Sequence, residues 1–138
     1  MIGIIVTGHG SFASGLKSSV ELIAGVQSDV SYVDFTAGMN TDDIKQALNE
    51  SVESMGSLDQ IMILSDIKGG SPFKAGLEIA MSKENITLFG GTNLPLLLEC
   101  SLSRYGADDF EVFVNTVEKL GAEGLSRFEM NYDDDDED

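Results

Sequence analysis

His9 is the only histidine of the chain, and it stands in Val6-Thr7-Gly8-His9-Gly10-Ser11, where the apolar run of Ile2, Ile4, Ile5 and Val6 gives way to small residues. Imidazole changes charge near neutral pH, and its neutral ring nitrogen is a nucleophile. A second segment of the same kind follows an apolar run later in the chain: Ser65-Asp66-Ile67-Lys68-Gly69-Gly70-Ser71-Pro72-Phe73. Asp66 adds a carboxylate. Accepting a hydrogen bond from one imidazole nitrogen, it would fix the tautomer, leave the other lone pair free and stabilise a charged ring. Pro72 suits the first position of a helix, which would put Ser71 at the N-cap. Gly69 and Gly70 before it let backbone N–H groups turn towards an anion, and the helix dipole favours negative charge there. Gly8, Gly10 and Ser11 can cradle an anion from the opposite loop. Imidazole, carboxylate and phosphate-sized cradle on one rim describe a histidine that accepts and donates a phosphoryl group. Each piece also has a plainer use: a lone histidine as a structural residue, Gly69-Gly70 as a tight turn, Ser71 as a cap alone.

These loops meet only if the elements place them together. Apolar runs at Ile2 to Thr7, Val30 to Phe35, Gln60 to Ser65 and Asn85 to Phe89 read as strands. Between them lie helical periodicities: Leu16, Val20 and Ile23 after Ser11 and Ser14, then Ile44, Leu48, Val52 and Met55 after Thr41-Asp42-Asp43, then the helix opened by Ser71-Pro72. Gly90-Gly91-Thr92-Asn93 leads into a short helix over Pro95 to Arg104. A last helix runs from Asp108 to Gly121 with Phe110, Phe113, Val114, Val117 and Leu120 inward. The order predicts an α/β single domain, a mostly parallel open sheet of four strands flanked by helices. Neighbouring first and third strands would then set His9 and Asp66 together on the carboxyl edge. Leu125 to Tyr132 alternates with period two and reads as a short C-terminal edge strand, able to pair with a second subunit. The methionines Met39, Met55, Met62 and Met81 read as core filling.

Composition bounds the partners. The 138 residues carry a formal charge of -16, of which 133–138, all acidic, supply six negative charges. That tail reads as disordered, leaving 1–132 as the domain. Such a surface repels nucleic acid and anionic lipid and favours basic protein partners. One cysteine, Cys100, permits no intrachain disulfide, and one Cys with one His cannot make a structural zinc site. Neither metal nor organic cofactor is expected. No signal peptide is legible, and Leu94-Pro95-Leu96-Leu97-Leu98 is far shorter than the roughly 20 residues that cross a bilayer, so a cytoplasmic protein is expected.

Ile4-Ile5-Val6-Thr7-Gly8-His9-Gly10, Ser65-Asp66 with Gly69-Gly70-Ser71-Pro72-Phe73, and Gly91-Thr92-Asn93-Leu94-Pro95 together resemble the enzyme IIA domain of the mannose-family bacterial sugar phosphotransferase system, from residue 1 to about residue 125. The resemblance implies that His9 takes phosphate from the histidine-containing phosphocarrier protein and passes it to a cognate IIB component on another chain. It implies Asp66 as the partner of His9, Ser71 beside the phosphoryl group, and a homodimer exchanging a C-terminal strand. The membrane would be met only indirectly, through the IIC/IID permease, which selects the sugar. With Asp66 on Nδ1–H the phosphate would go on Nε2, as tele-phosphohistidine. Lys68 and Lys74 depart from the family pattern, which has an aromatic or apolar residue and a small amide there, and put specificity within the family in question. Two other readings use parts of the same pattern. One is the phosphocarrier subunit of a phosphoenolpyruvate-dependent dihydroxyacetone kinase, which the Gly-Gly-Ser-Pro-Phe segment argues against. The other is a non-catalytic anion-binding regulatory module, which has no need of a nucleophilic His9.

Overall fold

A computed structural model describes residues 1–130. Its strands are β1 (Ile2–His9), β2 (Val30–Phe35), β3 (Gln60–Ser65) and β4 (Ile86–Phe89); its helices are α1 (Phe12–Ala24), α2 (Thr41–Ser54), α3 (Ser71–Ser82), α4 (Leu94–Ser103) and α5 (Phe110–Ala122). All pairings are parallel, in the order β2-β1-β3-β4. The central strand β1 is buried from Ile2 to Gly8, which is why its sequence reads as a continuous apolar run rather than an alternation. Alternate residues feed two cores. Ile4, Val6, Met62 and Leu64 pack under α1, α4 and α5 with Val20, Leu97 and Val117. Ile5, Ile61 and Ile63 pack under α2 and α3 with Ile44, Leu48 and Ile79.

The helix starts follow side-chain chemistry. α2 carries a capping box in which Asp43 donates its N–H to Asn40 Oδ1 at 2.9 Å and Asn40 donates its own to Asp43 Oδ2 at 3.0 Å. Asn93 caps α4 through the Leu96 N–H at 2.9 Å, and Asp109 caps α5 through the Val112 N–H at 3.2 Å. At the amino end of the sheet, Arg104 is 2% exposed and forms no ion pair among the described residues. Its guanidinium donates instead to the carbonyls of Ser101, Ile2, Asp29 and Ser28 and to the Tyr105 hydroxyl. Five donors meet five acceptors, which is how a buried cation is tolerated there.

Three expectations need correction. Residues 125–130 form no strand, and Leu125, Phe128 and Met130 are exposed. Alternation supplies a two-sided surface, but a strand also needs a sheet edge to bond to, and among the described residues none pairs with that segment. Residues 131–132 and the acidic 133–138 lie outside the described residues. Ile23 and Leu120 are exposed rather than inward, each in the last turn of its helix and beyond the last residue that helix buries, Val20 and Val117. Met81 is exposed on α3, whereas Met55 and Met62 are in the core and Met39 packs against it.

Candidate functional site

Because β1 and β3 are neighbours with Thr7 opposite Ser65, the residues that follow these two strands leave the sheet side by side. His9 Nδ1 lies 2.8 Å from Asp66 Oδ2, and the His9 backbone N–H donates to the same oxygen at 2.9 Å. The other oxygen, Oδ1, accepts the Ile67 N–H at 2.8 Å. Burial alone would raise the Asp66 pKa, yet the hydrogen bonds from the His9 backbone and ring and from Ile67 outweigh it, and the carboxyl sits below its usual value. An ionised carboxylate can only accept, so the proton between the pair belongs on Nδ1 and the lone pair is on Nε2. The exposures match these roles, with the His9 side chain 44% exposed and that of Asp66 13%.

Gly70 brings the start of α3 against the imidazole. A Cβ there would lie 2.6 Å from His9 Cε1 and 3.2 Å from Nε2, so no other residue fits without displacing the ring. Gly70, not Ser71, is the N-cap; its carbonyl accepts the Lys74 N–H at 2.9 Å, and Ser71 and Pro72 are the first two helical residues. Proline's missing N–H is as harmless in the second position as in the first, since neither has an intrahelical partner. The shift by one residue matters. A glycine cap has no side chain to satisfy the first-turn donors, and α3 has neither a side-chain cap nor an acidic residue in its first turn. α1 differs: Asp34 of β2 accepts the Ser14 N–H at 3.0 Å, so a carboxylate already takes one of that helix's first-turn donors. The opposite loop, with Gly8, Gly10 and Ser11, therefore offers a less open cradle than expected. Ser11 is the N-cap of α1 without a side-chain cap bond. Gly10 and Gly69 are turn residues with φ of 60° and 95°. Gly8 is a close-approach glycine, whose Cβ would fall 2.5 Å from Phe12 Cδ2 and 2.9 Å from Asp66 Cγ.

Lys68 and Lys74 are exposed and form no ion pair among the described residues. Two residues that sequence reasoning missed contribute here, Asp34 and Phe35. Phe35 stands opposite His9 in the β1–β2 register, and the two rings meet at 86° with centroids 5.7 Å apart. Nothing in a single sequence fixes that register. Cys100 is no rival nucleophile, since burial pushes its thiol up to about 12. A cleft of about 480 Å³ lined by Met1, Ile2, Asp59, Arg104 and Tyr105 lies at the other end of the sheet from His9. Among the described residues no cluster of three His, Cys, Asp or Glu is placed to hold a metal ion, and no helix is long and apolar enough to cross a membrane.

Residues 3–118 match the EIIA-man family, described as "PTS system fructose IIA component". The mannose-specific EIIAB component of Escherichia coli K12 is 30% identical over 124 residues, which are 90% of this chain but 38% of that protein. The chain thus spans well under half the length of that relative. The sorbose-specific EIIA component of Klebsiella pneumoniae is 35% identical over 100 residues, 72% of each chain. Among solved structures, phosphotransferase system component EIIA from Streptococcus agalactiae superposes with a TM-score of 0.86 at 35% identity, covering 93% of this chain and 98% of that one. The sheet order, the paired loops and these likenesses agree: the chain belongs to the mannose-type EIIA family, the IIA components of the sugar phosphotransferase system.

Proposed function

We propose that His9 accepts a phosphoryl group on Nε2 from the histidine-containing phosphocarrier protein and donates it to a histidine of a cognate IIB component, in the cytoplasm. One observation carries the reading. The Nδ1 side of the ring is held by Asp66 while the Nε2 side faces the uncapped N-terminus of α3 at Gly70. In the forward step the Nε2 lone pair forms the new N–P bond, and the N–P bond of the donor's phosphohistidine breaks, its electron pair returning to the donor's nitrogen. The His9 ring gains positive charge, and its Nδ1–H keeps donating to the Asp66 carboxylate, which offsets that charge. Passing the group on is the same step in reverse. Gly70, the backbone N–H groups of the first α3 turn and the Ser71 hydroxyl are the cradle we assign, with Gly69 shaping the turn before it. Neutral donors suit a group that must leave as readily as it arrives, because they stabilise a transferring phosphoryl without the tight hold of a ring of cations.

Incubation with phosphoenolpyruvate and the general phosphotransferase proteins should label the wild-type chain with one phosphate, and a His9→Ala chain should stay unlabelled. Equal labelling of both would sink the assignment. We further infer a homodimer, since Leu125, Phe128 and Met130 expose apolar side chains within one short segment and the family resemblance implies a dimer. Sedimentation should give twice the chain mass, and a monomer at micromolar concentration would refute it.

A further inference from the structure

We infer that Phe35 is a positioning residue for transfer at His9, one that keeps the imidazole turned so that Nε2 faces the start of α3. This rests on the reading of His9 as phosphoryl acceptor. One hydrogen bond does not fix a ring: with Nδ1 tied to Asp66 Oδ2 at 2.8 Å, the imidazole can still pivot about that contact. Gly70 limits the pivot on the Cε1 side. The ring of Phe35 limits it elsewhere, meeting the imidazole at 86° and 5.7 Å, a geometry in which the electropositive edge of one ring meets the electronegative face of the other.

Phe35 is well built for this. It is the last residue of β2 and stands opposite His9 in the parallel ladder. Its carbonyl accepts the Gly10 N–H at 2.8 Å, which sets the path of the chain as it leaves His9. Its ring packs against the core under α2 and α3, beside a cluster that includes Ile5 and Ile44, so it is a stiff stop rather than a loose surface group. Backbone and side chain of one residue thus fix both the loop that carries the imidazole and the ring itself. Asp34, its neighbour, holds the start of α1 and does not touch the ring by any hydrogen bond among the described residues.

A histidine side chain has three χ1 wells and two broad ring orientations, about six states in all. Asp66 already excludes several of them. With about two or three states left, losing the aromatic stop should lower the productive fraction, and with it kcat, by about two- to threefold, with KM for the phosphorylated donor unchanged. Phe35→Leu keeps an apolar side chain and the backbone carbonyl but removes the flat ring, and Phe35→Tyr keeps the ring. The experiment measures phosphoryl transfer from the phosphorylated carrier by rapid quench, and the three-bond couplings that report the His9 χ1 rotamer together with NOEs from the ring Cε1 proton to Gly70 in the unphosphorylated protein. The expected result is a slower Phe35→Leu variant whose couplings move towards rotamer-averaged values and whose ring-to-Gly70 NOEs weaken while one phosphate is still incorporated, and recovery of both readouts in Phe35→Tyr. A Phe35→Leu variant with wild-type kcat, or one slowed with unchanged His9 couplings and NOEs, would overturn the inference. A wild-type chain that takes no label on His9 would instead overturn the function on which it rests.

Discussion

Replacing Asp66 by asparagine keeps the side chain's size and removes its charge, so it isolates what the carboxylate does for the imidazole. The three hydrogen bonds to Asp66 all come from donors: the His9 N–H and Nδ1–H on one oxygen and the Ile67 N–H on the other. An amide offers one accepting oxygen, and the arrangement that keeps both His9 bonds turns its NH₂ against the single Ile67 donor. The tautomer therefore survives, the Ile67 N–H loses its acceptor, and for the imidazole the change is electrostatic. Two unit charges about 4 Å apart interact by about 4 kcal/mol at an effective dielectric of about 20, and by about 1 kcal/mol in water. The pair straddles these limits, with His9 44% exposed and Asp66 13% exposed. Loss of about 2–3 kcal/mol of stabilisation for the positive ring formed during transfer corresponds to a roughly 30- to 150-fold slower step. Rapid-quench transfer of ³²P from the phosphorylated carrier to Asp66→Asn protein measures it, with circular dichroism confirming the fold. A folded Asp66→Asn protein transferring within about threefold of wild type would refute the role assigned to the carboxylate.

Gly70→Ala should cut phosphorylation at least about tenfold while the melting temperature moves little. The backbone at Gly70 is extended, φ -79° and ψ 173°, and accepts an alanine; only the imidazole is in the way of its Cβ. Acid should weaken the fold partly through Asp66. Its pKa is depressed in the folded state, so its contribution is present above the unfolded value of about 4 and fades as pH falls through the lower folded value. Urea unfolding from pH 7 to pH 2.5 should therefore show wild type and Asp66→Asn converging in acid, and an unchanging gap would contradict the assignment. Arg104→Met should leave phosphoryl transfer by the folded protein intact but lose about 3–5 kcal/mol of stability, because buried acceptors lose their donors. Thermal melting reads that as a fall of roughly 10–20 °C, and a variant as stable as wild type would show the guanidinium to be dispensable.

Strands β1 and β3 were legible because both faces of a central parallel strand are buried, so Ile2 to Thr7 and Gln60 to Ser65 read as unbroken apolar runs. Once those strands are neighbours, the closeness of His9 and Asp66 follows from the carboxyl-edge rule. Phe35 was hidden for a different reason. It lies in a strand like any other core aromatic, and only the register that sets it against His9 gives it a role at the site. Asp34 was hidden likewise, since a cap from another strand leaves no mark near the helix it caps. Ser71 was misplaced by one position because serine and proline fit the first turn as well as the cap, and only backbone geometry distinguishes them. Leu125 to Met130 misled because alternation records which side chains could share a face, not whether a strand edge is within reach.

The carboxylate of Asp34 at the start of α1 shapes the order of events as much as the place of the chemistry. With the Ser14 N–H of α1 taken by Asp34 and the first turn of α3 uncapped beside Gly70, the proposed transfer has donor and acceptor use one approach to Nε2. On that proposal they exclude each other, and each must depart before the other arrives. The protein should then behave as a turnstile: initial rates plotted against both partners should give parallel reciprocal lines, and an excess of unphosphorylated acceptor should slow reloading by occupying the doorway.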